Sequence, residues 1–245
     1  QYEKALSYCQ KALTIFRKIG EVKAQGLTLS NIGGLYRDLG QYEKALSHYQ
    51  KALDIDRKIG NVEGEGKSLS GIGFVYGDLG QYEKALSYFQ SSLTIFRKIG
   101  VISWEVVNLT GIGVVYYDLS QYEKALSYFQ KALTISKKIG SIKSEAENLA
   151  NIGLVYQDLG QYEKALSCFQ KALTIFRKIG DVKGEWGILT NTGNIYSSLD
   201  QNEKALSYYQ EALTIDRKIG DVKGEGSDLG NIGRVYNALG KYEKA

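Results

Sequence analysis

The string GNVEGEGKS at residues 60–68 comes closest in this chain to a catalytic motif. A phosphate-binding loop sets a glycine, four residues and then Gly-Lys-Ser or Gly-Lys-Thr after a β-strand, so that backbone N–H groups and the lysine hold phosphate. Gly66, Lys67 and Ser68 supply the second half, but the first glycine belongs at Asn61, and Gly60 misses by one. The same frame reads GEWGI at 184 and GEGSD at 224, with no lysine after the third letter. His48 is the only histidine, which excludes HExxH and any repeated use of imidazole. Cys9 and Cys168 lie far apart without CxxC spacing, so neither a disulfide framework nor a zinc site is expected. Carboxylates recur only as part of a larger pattern. No enzyme, cofactor or metal is expected, and what remains of the string is Lys67 as a binding residue.

Composition narrows the class further. With 43% hydrophobic and 24% charged residues the chain is expected to fold. A net charge of +4 over 245 residues is too small to argue for nucleic acid. Lysines 4, 11 and 18 and their later copies are interleaved with glutamates such as Glu43 and Glu83, as on a solvated outer face. No apolar run approaches a membrane span, so neither nucleic acid nor membrane is an expected partner, and a reducing cytoplasm is the default location. Proline is absent, which removes the commonest helix breaker. Methionine is absent too, as expected of a piece of a longer array.

A period of 40 residues organises everything else. QYEKALSYCQKALTIFRKIG at 1 returns as QYEKALSHYQKALDIDRKIG at 41 and QYEKALSYFQSSLTIFRKIG at 81, then again at 121, 161 and 201, and KYEKA at 241 opens another copy. Each copy is followed by a segment such as SNIGGLYRDLG at 30. Ala45, Tyr49, Ala52, Leu53, Asp56 and Ile59 share one helical face, as do Leu29, Ile32, Gly33 and Tyr36. Gly20 and its copies through Gly220 suit a left-handed helix end, and so do Gly40, Gly80, Gly160 and Gly240, with Ser120 and Asp200 as weaker substitutes. Asn61, Ser141, Asp181 and Asp221 are placed to cap the next helix, and Glu65 and Glu185 favour its N-terminus. The expected fold class is all-α, an α-solenoid of antiparallel helix pairs forming one domain over 1–245. Residues 1–20 are the second helix of a preceding unit; complete units follow at 21–60, 61–100, 101–140, 141–180 and 181–220, and a truncated one at 221–245.

The unit resembles the tetratricopeptide repeat. Leu29, Ile32, Gly33, Tyr36, Ala45, Tyr49 and Ala52 match that family's spaced large, small and aromatic positions, and four more complete motifs follow. The family's proline position holds Arg57, Arg97, Lys137, Arg177 and Arg217, which lets the second helix run on and lengthens the period. The long units resemble those of spindle-orientation adaptors, kinesin light chains and bacterial multidomain regulators. The resemblance implies a right-handed superhelix whose concave surface, lined by first helices, binds a peptide or partner domain, as the sensing or recruiting arm of a larger protein.

Three rows of first-helix residues are the candidate groove. They run Asn31, Gly71, Gly111, Asn151, Asn191, Asn231; then Gly34, Phe74, Val114, Leu154, Asn194, Arg234; then Arg37, Gly77, Tyr117, Gln157, Ser197, Asn237. The second and third rows change chemistry at every step, as a surface reading different parts of a ligand would. Asparagine offers both donor and acceptor to an extended backbone. The expected site residues are Asn31, Arg37, Lys67, Phe74, Tyr117, Asn151, Gln157, Asn191, Asn194, Asn231 and Arg234. In the plainer alternative, each asparagine bonds a neighbouring helix and the other rows have drifted. Asp38, Asp78, Asp118 and Asp158 would attract a basic ligand, or simply favour the following helix N-terminus. Trp104 and Trp186 would be binding hot spots if exposed, but are expected rather to fill space between units. His48, Cys9 and Cys168 are expected to be chemically inert. The alternating Phe16, Asp56, Phe96, Ser136, Phe176, Asp216 implies partial exposure, because aspartate is rarely buried. Phe16, Phe96 and Phe176 would then serve the rival reading, a self-assembling spacer that associates through its repeat ends or outer face.

Overall fold

The computed structural model describes residues 2–240; the KYEKA of the final copy lies outside them. The described residues form twelve helices and no strand: α1 Tyr2–Ile19, α2 Val22–Asp38, α3 Tyr42–Lys58, α4 Val62–Asp78, α5 Tyr82–Ile99, α6 Ile102–Asp118, α7 Tyr122–Lys138, α8 Ile142–Asp158, α9 Tyr162–Ile179, α10 Val182–Ser198, α11 Asn202–Ile219 and α12 Val222–Ala238. Two compact units emerge, Gln1–Ile135 and Ser136–Ala245, divided inside α7. In the first, α2 packs on α3, α3 on α4, α4 on α5 and α5 on α6. First helices also meet one another, α2 with α4 and α4 with α6. The second unit repeats the scheme with α8 on α9, α9 on α10, α10 on α11 and α11 on α12, and α8 meets α10. This is the all-α solenoid arrangement of antiparallel helix pairs.

Apolar spacing creates the core as the period requires. Ala45, Tyr49 and Leu53 bury against Leu69, Ile72 and Val75, while Leu13, Leu29, Ile32 and Ala52 form the preceding cluster. Ile59 departs from expectation: α3 ends at Lys58, so Ile59 falls beyond the helical face and is 41% exposed. The glycine in each of the first helices α2, α4, α6, α8 and α10 receives an aromatic ring from the helix that follows. A Cβ at Gly113 would lie 2.6 Å from the Phe129 ring, and one at Gly153 would lie 2.5 Å from Phe169. Those approaches are closer than a carbon contact allows, which outweighs the roughly 1 kcal/mol that glycine costs within a helix.

Helix ends follow their local chemistry. Gly100 and Gly180 adopt left-handed φ of 72° and 69°, and Ser120 and Asp200 hold the same region at 55° despite carrying side chains. Asn61, Asp181 and Asp221 accept hydrogen bonds from the backbone N–H of Gly64, Gly184 and Gly224. Ser141 does not cap in this way; its hydroxyl donates to Ser144 Oγ. The residues at the family's proline position bind across the turn: Arg57, Arg97, Arg177 and Arg217 donate to Glu65, Glu105, Glu185 and Glu225 at 2.7–2.8 Å.

Two of the three alternating phenylalanines are interior, where partial exposure was expected. Phe96 is 1% exposed and Phe176 3%, while Phe16 in α1 is half-buried. Asp56 and Asp216 at the same position are buried as well, at 2% and 1%. Neighbouring residues compensate for size and polarity. Gly66 makes room for Phe96, where a Cβ would sit 2.8 Å from the ring, and Trp104 stacks on the other side with centroids 5.3 Å apart. Gly184 makes room for Phe176. Asp56 instead accepts from Asn61 Nδ2 at 2.7 Å, and Asp216 from Trp186 Nε1 at 3.1 Å. Aspartate is tolerated here because a donor comes with it.

Candidate interaction surface

In the first unit the candidate rows lie on α2, α4 and α6. Asn31 is exposed, but Gly71 and Gly111 are buried beneath the Tyr49 and Phe89 rings of the preceding pair. A Cβ at Gly111 would come 2.7 Å from Phe89, so this row is glycine here for packing. The next row is also partly dictated from within. Phe74 meets Phe89 edge-on at 4.8 Å, and the residue partnering each second-helix phenylalanine in sequence is apolar: Phe74, Val114, Leu154. Where the second helix carries tyrosine, the row is Gly34 or Asn194, and Tyr209 Oη donates to Asn194 Oδ1 at 2.7 Å. Much of the step-by-step variation therefore follows the internal ring.

Two clefts remain open on this face of the first unit, and Phe74 borders both. One, of about 520 Å³, is lined by Asn31, Gly34, Gly71, Trp104 and Val107, with Lys67 and Asp38 at its margin. Lys67 is paired with Glu63 at 2.5 Å and lies 5.8 Å from the Trp104 ring centroid. The other, of about 640 Å³, is lined by Arg37, Gly77, Asp78, Val114 and Asp118. Arg37 lies over the Phe74 ring at 4.8 Å and donates from Nε to Asp78 at 2.5 Å. Asp118 has its carboxyl pushed upward, first by burial and then by the nearby charge of Asp78. Tyr117 is half-buried and tilts against Tyr122, 6.0 Å between ring centroids.

In the second unit, Asn151, Asn191 and Asn231 are half-buried on α8, α10 and α12. Asn194 is occupied by Tyr209, and Arg234 donates to Asn231. Gln157 is half-buried, and its Oε1 is sealed from solvent without a hydrogen-bond partner among the described residues. Trp186 Nε1 donates to Asp228 at 3.0 Å as well as to Asp216, bridging two buried carboxyl groups. Burial pushes Asp228 up to about 6, with the charge of Asp216 acting in the same direction.

The structure thus gathers Asn31, Lys67 and Phe74 around one cleft and Arg37 with Phe74 around the other. Val114 and Asp118, which stand in the candidate rows but not among the expected site residues, both line the second cleft, and Trp104, expected chiefly to fill space, both stacks and lines. The chemically conspicuous residues have structural duties. Cys168 is half-buried, and burial pushes its thiol up, away from the reactive thiolate. His48 Nδ1 bonds Lys44 O at 2.8 Å beside the Tyr36 ring. Among the described residues no group of three or more His, Cys, Asp or Glu is placed to hold a metal, and no helix is long and apolar enough to cross a membrane.

A family model for the tetratricopeptide repeat matches residues 1–58, 25–98, 64–138, 105–178, 144–218 and 187–245. The chain belongs to the tetratricopeptide repeat family. Several solved structures resemble this tetratricopeptide array. BtubC (BKLC) from P. vanneervenii is 18% identical, with a TM-score of 0.74 over 90% of this chain and 92% of that one. A signal transduction ATPase with numerous domains and a tetratricopeptide repeat sensor, from Pyrococcus horikoshii, is 23% identical; its TM-score is 0.75 over 99% of this chain and 37% of that one. The Rap conjugation gene regulator of plasmid pLS20, solved with the Phr* peptide, is 21% identical with a TM-score of 0.72 over 91% of this chain and 64% of that one. At these identities the likeness is one of fold, and the array spans only part of the last two. No curated protein sequence matches it. As a tetratricopeptide array the chain is a protein-interaction scaffold.

Proposed function

We propose that the first-helix face, the concave face in this family, binds an extended segment of a protein partner and that the array is the sensing or recruiting arm of a larger protein. The observation that carries this reading is the pair of clefts on either side of Phe74 in the first unit. Concave sites with an apolar wall and a few fixed polar groups are where ligands find both area and orientation. Asn31, Arg37, Lys67, Phe74 and Tyr117 are the contact residues of this unit. Asn151, Gln157, Asn191, Asn194, Asn231 and Arg234 serve the second, where side-chain amides can take up main-chain N–H and C=O groups of a ligand. The unpartnered Oε1 of Gln157 is an acceptor available to such a ligand if the side chain turns outward.

Panning a peptide display library against the whole chain tests the reading. Phe74→Ala is expected to weaken the enriched peptides about tenfold or more, as loss of an aromatic anchor does, with a lowered but still cooperative melting transition, because the ring also packs on Phe89. Enriched peptides indifferent to Phe74→Ala and to Asn151→Ala with Asn191→Ala would place binding elsewhere and sink it.

A further inference from the structure

We propose that the cleft between Gly77 and Asp118 receives an arginine side chain of the bound segment, an inference that rests on peptide binding at the first-helix face and specifies its chemistry. Within the first unit a contact between successive pairs is complete once and incomplete once. Arg37, near the end of α2, reaches 41 positions forward to Asp78 at the end of α4, donating from Nε and Nη2 to the two carboxylate oxygens at 2.5 and 3.3 Å. Its guanidinium covers the Phe74 ring on the way. One period later the same three positions are Gly77, Val114 and Asp118.

Gly77 brings no side chain, and a Cβ built there would meet nothing within 4 Å. Among the described residues Asp118 therefore lacks the cation that Asp78 has. The cleft lies where the missing arm would run, bordered by Gly77, Val114 and Asp118. Its charges do not balance either: Arg37 is matched by Asp78, and Asp118 is left over. Partial burial beside a second carboxylate disfavours the ionised form of Asp118, a penalty that an incoming cation relieves.

Arginine fits better than lysine. Its planar fork can take both carboxylate oxygens as Arg37 does at Asp78, and its stem can lie along Val114, itself exposed to the cleft. The adjoining cleft, with Gly71, Trp104 and Val107, has its one lysine already paired, so the same segment carries an apolar residue beside the arginine. The occupant is thus an extended protein segment with an arginine and an apolar residue straddling Phe74.

The test starts from peptides enriched by display panning on the whole chain and titrated by fluorescence polarisation. Enriched peptides are expected to carry arginine next to an apolar residue. Replacing that arginine by citrulline, which keeps the shape and removes the charge, is expected to weaken binding about tenfold or more, and Asp118→Asn to do the same. Gly77→Arg fills the site from within: it is expected to block binding and to raise the melting temperature more in the Asp118 protein than in Asp118→Asn. Asp118 is exposed and a side chain at Gly77 meets nothing nearby, so both variants are expected to keep the fold, which thermal melts of each check. Peptides that need Phe74 but tolerate citrulline and Asp118→Asn overturn the arginine site while leaving groove binding standing. Enrichment of acidic peptides does the same. Enrichment of nothing overturns both.

Discussion

At one position of the first helix, the first unit carries Gly71 and Gly111 where the second carries Asn151, Asn191 and Asn231. The glycines lie under rings reaching over from the preceding pair, while the asparagines stand half-buried on their own face. The same sequence position is therefore packing at Gly71 and Gly111 and surface in the second unit, as it is at the exposed Asn31 that begins the row. The buried acids differ in parallel. Asp56 in the first unit has its own donor in Asn61, whereas Asp216 in the second shares one indole N–H with Asp228. Repeats that look interchangeable divide their duties according to which neighbour presses on each position.

Exchanging the two patterns should break this comparison most clearly. Gly71→Asn and Gly111→Asn are each expected to cost about 1–3 kcal/mol by forcing the Tyr49 and Phe89 rings aside. Asn191→Gly should cost only about 0.5 kcal/mol through helix propensity. Urea denaturation of the single variants measures both, and equal costs in the two units would contradict the assignment.

The acid pair predicts a pH effect larger in the second unit than in the first, where Asp56 and Asp118 shift in the same direction. Asp228 rises from an ordinary 3.8 to about 6 in the folded protein, chiefly through burial, and Asp216 shifts in the same direction with Asp221 and Glu225 adding negative charge nearby. A raised carboxyl value means that the protonated form is favoured by folding. Its stabilisation is complete below about pH 4 and is lost as pH climbs through 6, on the order of 3 kcal/mol for that shift. Trp186 fluorescence in a Trp104→Phe background follows it directly. Asp228→Asn should reduce the pH dependence and be the more stable form at pH 7; an unchanged slope would exclude Asp228 as its main source.

Smaller effects test whether turns behave alike in both units. Ser120→Gly and Asp200→Gly should each stabilise by about 1 kcal/mol, because left-handed backbone is strained with a side chain. Arg57→Ala and Arg177→Ala remove exposed ion pairs and should change stability by no more than about 0.5 kcal/mol. Thermal melts resolve the former, and a double-mutant cycle with Glu65 or Glu185 the latter.

Helix pairs, left-handed ends and most caps were legible in the period itself, because each depends on residues close in sequence. The alternating phenylalanines were misread because aspartate at the same position suggested solvent, while the compensating partners, Gly66 for Phe96 and Trp186 for Asp216, lie 30 positions earlier. The link between Phe74 and Phe89, or Asn194 and Tyr209, was present in the letters but emerges only when the two helices are laid side by side. For the candidate site, residue types identified Phe74 and Lys67, but the open place at Gly77 is defined by what a neighbouring pair supplies and this one does not.

Hydrogen exchange on the whole chain, with and without an enriched peptide, tests the central claim most directly. Slowed exchange is expected in α4 and α6, whose residues border both Phe74 clefts, and to disappear with Phe74→Ala. Protection centred instead on the second helices α3 and α5, or unchanged by Phe74→Ala, would contradict a binding face built on the first helices.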